Sequence, residues 1–427
     1  MPLVVLFLLP GGGFFVSSLG FWLLLFLTFL LVWMLLPAAP PPREETVLVR
    51  PLEPYADHLP SVVDSFIEPQ VVREDHGVLV VRGALRQPAD IAFTRLREAL
   101  GERFIPLLRE DPKFGAALVL VPQAEQAVLD RPIRPGVHWL LFGLTVLTTT
   151  WAGAAHQGVN LLVEPSRFGV GLPYSLGLLA ILGLHELGHY FTALRHGMRV
   201  TPPYFIPVPF ALGTFGAFIQ MRSPPETRKA LFDVAVAGPL AGLVVAVPAL
   251  LIGLDSSIVR MAGPAGPAAA VGGILGGTSA DSSLLMALLA KIALPEALQP
   301  GRVLELSPLG FAGWLGLLVT ALNLLPIGQL DGGHIARAMF GSRVGGWISN
   351  VAMWTLILLA ITKWHALIVW AIIIYFIAGR GAPPLNDITP INTTRRALGY
   401  VTFAILALIL VPYRALLSAA GIHCPYL

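Results

Sequence analysis

The chain has a single cysteine, Cys424, in 427 residues. An intramolecular disulfide is therefore excluded, as is a zinc cluster built on thiolates. Charge is scarce as well: Asp, Glu, Lys and Arg make up 12% of the residues, against roughly 25% in soluble proteins. The net charge of +3 is spread without any basic block, so nucleic acid is not an expected partner. No Lys or Arg precedes Arg43. The first apolar run thus lacks the positive start of a signal peptide, and the Arg- and Ser-rich character of a transit peptide is missing too. No internal repeat of the kind that marks inverted-topology transporters is visible.

What the chain does have is apolar length. Hydrophobic residues make up 55% of it, and the mean hydropathy is +0.74. This composition predicts a polytopic α-helical membrane protein whose surroundings are the lipid bilayer. Residues 14–37 are long enough to span and carry no charge. Residues 1–42 therefore read as an uncleaved transmembrane anchor followed by a Pro-rich linker; cleavage near Ala38-Ala39 is the alternative. Residues 43–134 hold 12 Lys/Arg and 15 Asp/Glu, about half of all the charges. Strands are expected at Gly77–Gly83 and Ala116–Val121, with a helix from Gln87 to Phe104 between them. This is a small soluble α/β domain with a βαβ core, serving either as a folded spacer or in regulation. Further spans are expected near 137–155, 173–195, 229–253, 308–326, 346–362, 364–379 and 397–417. They divide into a core at 135–380 and an additional C-terminal span and tail at 381–427. The long connection at 254–307 contains an amphipathic stretch at Ser283–Leu294, expected at the membrane surface.

One of these spans carries chemistry. Leu184-His185-Glu186-Leu187-Gly188-His189 reads H-E-x-x-H inside an apolar run. On a helix, His185 and His189 project from one face, one turn apart. Two neutral imidazoles at that spacing supply two corners of a tetrahedral Zn²⁺ site, and Glu186 is placed to take a proton from metal-bound water. The plainer reading is a helix with two histidines satisfied by core partners. Three ionisable groups in an apolar span favour the functional one.

A catalytic zinc needs a third protein ligand and an open position. The best candidate is Asp331, in Asn323-Leu-Leu-Pro-Ile-Gly-Gln-Leu-Asp-Gly-Gly333. Its alternative role is an Asx turn or a helix N-cap. Asn323, two turns earlier, is an amide in an apolar span. It is suited to a substrate carbonyl or oxyanion, or else to an interhelical hydrogen bond. His334 is close by but unnecessary once three ligands are counted.

Residues 201–222 are apolar yet rich in Pro and Gly, which disfavours a helix. Extended runs at Tyr204–Phe210 and Gly216–Met221 around a Gly213-Thr214 turn predict a β-hairpin dipping into the membrane beside the site, with an ordinary apolar loop as the alternative. Gly213, Phe215, Gly216 and Phe218 are the candidate substrate contacts. The arginines after the H-E-x-x-H span (Arg195, Arg199, Arg222 and Arg228) place that side in the cytoplasm. His185 then lies about 15 Å below the cytoplasmic face at 1.5 Å per residue. The expected location is a bacterial plasma membrane, with the site near the cytoplasmic face.

These motifs together resemble the site-2 protease family of intramembrane zinc metalloproteases. The resemblance rests on HELGH, on N-x-x-P-x-x-x-L-D-G, on Gly213–Phe218 (GTFGAF) and on Ala237–Gly242 (AGPLAG), and it runs from about 137 to 380. It is strongest to the cyanobacterial and plant-plastid branch without a PDZ domain. The resemblance implies a site-2 protease-like transmembrane core, one Zn²⁺ per chain on His185, His189 and Asp331, and Glu186 as general base. It also implies transmembrane protein substrates cut within or near their membrane segments, as in regulated intramembrane proteolysis. The sequence leaves the oligomeric state open. Two other classes stay in view: a metal-ion transporter, and a non-catalytic membrane scaffold.

Overall fold

The computed structural model describes residues 63–261, 283–299, 302–362 and 383–411, apart from 76–77, 101–103, 123–133 and 210, plus a few positions between 368 and 375. The first apolar run and its Pro-rich linker, and nearly all of the expected 364–379 span, lie outside the described residues.

The chain first builds a sheet. Strands β1 (Ile67–Asp75) and β2 (Val78–Leu85) are followed by helix α1 (Ala89–Leu100), then β3 (Phe104–Asp111) and β4 (Gly115–Pro122). The order is β1-β2-β4-β3, antiparallel throughout. This corrects the simple βαβ expectation. Strand β4 lies between β2 and β3, so the helix crosses over a split pair. The helix also ends at Leu100, and Phe104 opens β3 instead. Strand β3 was hidden by Pro106 and by its charged end. On an edge strand that proline costs no ladder bond. Val81 pairs with Leu118, and Leu118 with Leu108. All three are fully buried, under Phe93 and Leu96 of α1.

The helices follow: α2 (Pro135–His156), α3 (Leu172–Arg195), α4 (Arg228–Asp255), α5 (Leu284–Ala293), α6 (Pro308–Leu324), α7 (Asp331–Thr362) and α8 (Thr393–Leu410). Among the described residues, four helices are long and apolar enough to cross a membrane: Pro165–Arg195, Arg228–Asp255, Asp331–Thr362 and Thr393–Leu410. Helix α2 is not one of them; it carries Thr145, Thr148, Thr149 and Thr150. Those hydroxyls are satisfied one turn back, Thr145 on the Leu141 carbonyl at 2.7 Å and Thr149 on Thr145 at 2.6 Å. Helix α6 is 17 residues long and stops just before Pro326. Helix α7 joins the Asp331 segment to the expected 346–362 span across a break at Gly341, whose φ is +85°.

Two shorter pieces complete the fold. Strands β5 (Tyr204–Pro207) and β6 (Thr214–Phe218) form the expected antiparallel hairpin with shorter strands, and Thr214, expected in the turn, opens β6 and pairs with Pro207. Strands β7 (Ile258–Met261) and β8 (Arg302–Glu305) pair within the long connection. Helix α5 is set into the largest core cluster through Met286, Leu289 and Ala290, and it leaves Leu288 and Ile292 exposed. That core also takes Phe232, Leu250 and Leu254 of α4, Leu317 of α6 and Ile335 of α7.

Candidate metal centre

Helix α3 carries His185, Glu186 and His189, at 4%, 8% and 7% exposure. Their helix is held against α4 by small residues. A Cβ on Gly188 would meet the Ala237 carbonyl oxygen at 2.6 Å, and one on Gly238 would run into the His189 imidazole. One turn on, a Cβ at Gly242 would lie 3.4 Å from His185 Nδ1. The AGPLAG stretch therefore makes the room in which the two imidazoles stand.

Asp331 arrives from the other side of the site. Helix α6 ends after Leu324, Pro326 keeps the chain from continuing it, and Gly328 turns with φ +53°. Gly332 then lies so close to the Leu324 and Leu325 carbonyls that no side chain fits. Asp331 becomes the first residue of α7, with its carboxylate pointing at the histidines.

The three groups converge. His185 Nε2 and His189 Nε2 are 3.1 Å apart. Asp331 Oδ2 lies 3.4 Å from the first and 3.3 Å from the second. A tetrahedral ion with bonds of ~2.0–2.1 Å has ligand–ligand edges of about 3.3 Å. The proton inventory points the same way. His189 Nδ1 faces the Val234 carbonyl at 2.7 Å; a carbonyl only accepts, so the proton is on Nδ1. His189 Nε2 therefore turns a lone pair toward the other donors, as a metal ligand does. The residues present fit a divalent cation. His334 is not one of the converging groups found among the described residues.

Two further groups border this cluster. Asn323 Nδ2 lies 3.3 Å from His185 Nε2. The backbone N–H of Ile219, the residue after β6, lies close enough to the Glu186 carboxylate to interact with it. The hairpin is anchored at its turn. Thr148 donates to the Gly213 carbonyl at 2.7 Å, and Tyr174 to that of Leu212 at 2.9 Å. Gly213, at φ +80°, abuts Thr149 of α2, where a Cβ would lie 2.5 Å from the Thr149 Cα. Gly216, at φ +100°, has nothing near its Cβ position, and Phe215 and Phe218 are exposed. Val234, Gly238, Gly242 and Ile219 were not singled out for the site. The small-residue spacing of AGPLAG was the one signal in the sequence for any of them.

With this geometry in place, comparison with known proteins is direct. The sequence model of Peptidase family M50 matches residues 173–362. Those residues belong to peptidase family M50, the site-2 protease family. The match takes in α3, the hairpin, α4, α6 and α7, and with them every group in the cluster. The chain is 30% identical over 372 residues to the probable zinc metalloprotease EGY1, chloroplastic, of Oryza sativa subsp. japonica, covering 79% of this chain and 62% of that protein. It is 32% identical over 355 residues to the probable zinc metalloprotease EGY2, chloroplastic, of Arabidopsis thaliana, covering 79% and 60%. It is 27% identical over 379 residues to the probable zinc metallopeptidase EGY3, chloroplastic, of Arabidopsis thaliana, covering 82% and 63%. The chain thus spans less than two thirds of the length of these curated relatives, whose names mark them as zinc enzymes of the plastid. Nothing in the comparisons favours the bacterial plasma membrane expected above. No solved structure gives a significant match.

Proposed function

We propose that this M50 chain is an intramembrane zinc metalloendopeptidase that hydrolyses peptide bonds in or near the transmembrane segments of other membrane proteins. The observation that carries the reading is the convergence of His185 Nε2, His189 Nε2 and Asp331 Oδ2 at 3.1–3.4 Å from one another. On this reading these three residues hold one zinc. When bound, zinc supplies Lewis acidity, which lowers the pKa of a water and polarises a carbonyl.

The chain's own groups do the rest. Glu186, adjacent to His185, takes the proton of the attacking water and returns it to the leaving amine. Asn323 donates to the oxygen that gains negative charge. A helical substrate hides its carbonyls in i→i−4 bonds, so it must unwind to be cut. Strand β6 then offers extended backbone beside Glu186, against which the opened segment pairs, with Phe215, Gly216 and Phe218 along its length. The reading includes an anchor at 1–42, a soluble domain at 43–134, the core at 135–380 and an added span after 381. The site opens to the Arg-rich side that the positive-inside rule assigns to the cytoplasm or its organellar equivalent.

The test is zinc content and cleavage of a labelled transmembrane peptide by detergent-solubilised protein. Wild type and Glu186→Gln should each hold one zinc, and wild type alone should cleave. A folded wild type without zinc would overturn the proposal.

A further inference from the structure

Residues 384–392 follow the stretch matched by the family model and run between the sheet and the helices. Leu385 is buried in the sheet's own core. Here the backbone acts as a short strand. Leu108 N–H donates to the Leu385 carbonyl at 2.7 Å, and Asp387 N–H to the Leu108 carbonyl at 3.0 Å, along the outer edge of β3. On its far side, Leu385 N–H donates to Pro225 at 2.9 Å and Asn386 N–H to Glu226 at 2.8 Å, just before α4. The Arg109 side chain adds a bond to the Pro384 carbonyl. The strand covers an edge that would otherwise be open, and it ties the sheet to the helical core.

Asp387 is where this tie meets the helix of the metal site. It is buried, and it accepts a hydrogen bond from Ser342, the residue after the Gly341 break in α7. Arg109 of β3, Arg228 of α4 and Arg337 of α7 all lie within electrostatic reach of it. The other oxygen of Asp387, Oδ1, is buried without a hydrogen-bond partner; a buried carboxylate is costly unless cations offset the lost hydration, and the nearby cations come from three separate elements. Arg228 also donates to the carbonyls of Ala338 at 3.1 Å and Arg337 at 3.5 Å. Those carbonyls end the first segment of α7, a rod of about ten residues and roughly 15 Å. Asp331 stands at its other end.

We propose that Asp387 is a positioning residue for the metal site: held to the sheet by the 384–387 strand, it fixes the α7 segment that presents Asp331. The sheet thereby sets how Asp331 meets His185 and His189. The consequence for zinc rests on the ligand reading above; the mechanical coupling does not.

The experiment is hydrogen–deuterium exchange on the full chain in detergent, stripped of metal, comparing wild type, Arg109→Ala, Arg109→Lys, Asp387→Asn and the Arg109→Ala/Asp387→Asn pair. Exchange across 331–342 should rise tenfold or more in Arg109→Ala and in Asp387→Asn. The pair should rise no further than Asp387→Asn, and Arg109→Lys, which keeps a donor for Pro384, should stay near wild type. Unchanged exchange across 331–342, or a rise confined to β3 and β4, would overturn the proposal. Exchange in 172–195 serves as the fold control: if Asp387→Asn loosens α3 as well, Arg109→Ala decides. In zinc-loaded protein, Asp387→Asn should lose zinc to a chelator at least tenfold faster. A wild type that binds no zinc would sink the metallopeptidase reading alone, because the exchange arms need no metal.

Discussion

His189 of α3 donates its Nδ1 proton to the backbone carbonyl of Val234 on α4 at 2.7 Å. That one bond fixes the tautomer of the imidazole and turns Nε2 toward His185 and Asp331. It forms only because Gly238, one turn after Val234, has no side chain where the imidazole stands. Replacing Gly238 with Ala should therefore tilt His189. Zinc affinity should fall at least tenfold, and overpacking should cost about 1–3 kcal/mol of stability. Chelator competition and thermal unfolding read the two effects. Wild-type zinc affinity in Gly238→Ala would show that the contact is incidental.

Asp331→Ala removes one corner of the site, whereas Glu186→Gln keeps all three. The first should lose zinc and activity together. The second should retain zinc and lose cleavage by about 10²–10⁴-fold, the range for a positioned general base. Zinc removal by chelator should abolish wild-type cleavage, and added zinc should restore it. Metal analysis beside single-turnover cleavage separates the cases. Equal zinc in Asp331→Ala and wild type would remove Asp331 from the ligand set.

Ile219→Pro deletes the N–H that reaches Glu186, at the end of a hairpin whose turn is anchored elsewhere. Turnover should slow while zinc stays bound, because the proline leaves the ligands untouched. Steady-state kinetics with zinc analysis checks this. Wild-type kcat and KM in that variant would count against any role for strand β6 beside Glu186.

Asn323→Leu tests the amide that sits 3.3 Å from His185 Nε2. Loss of an oxyanion donor costs about 10²–10³ in kcat, so kcat should fall with zinc content unchanged. If zinc is lost instead, Asn323 belongs to the support of His185 and not to the reaction.

Much of this protein is legible in the linear chain because the signals are local. Two histidines four residues apart need only a helix to share a face, and an apolar run is helix enough. The β5–β6 hairpin follows from Pro and Gly in a segment too broken for a helix. The order of the long helices and the likeness of HELGH and LDG to family M50 are legible in the same way, since each is written in contiguous residues.

Other features needed the tertiary structure, because they depend on what a residue faces. Asp331 at a helix start reads equally well as a cap until the turn through Gly328 aims it at the imidazoles. AGPLAG stands in the sequence as one of the motifs of the resemblance, yet which helix it packs, and that Gly238 faces His189, is decided by how α4 crosses α3. Strand β3 looks broken by Pro106 until it proves to be an edge, where the missing N–H costs nothing. Pairing between Leu108 and Leu385 joins residues far apart in sequence, and hydrogen bonds between backbones leave no mark in side-chain identity. The residue types and the helix of the two histidines were set by the sequence, while the convergence of His185, His189 and Asp331 at 3.1–3.4 Å was decided by the packing of α3, α4, α6 and α7.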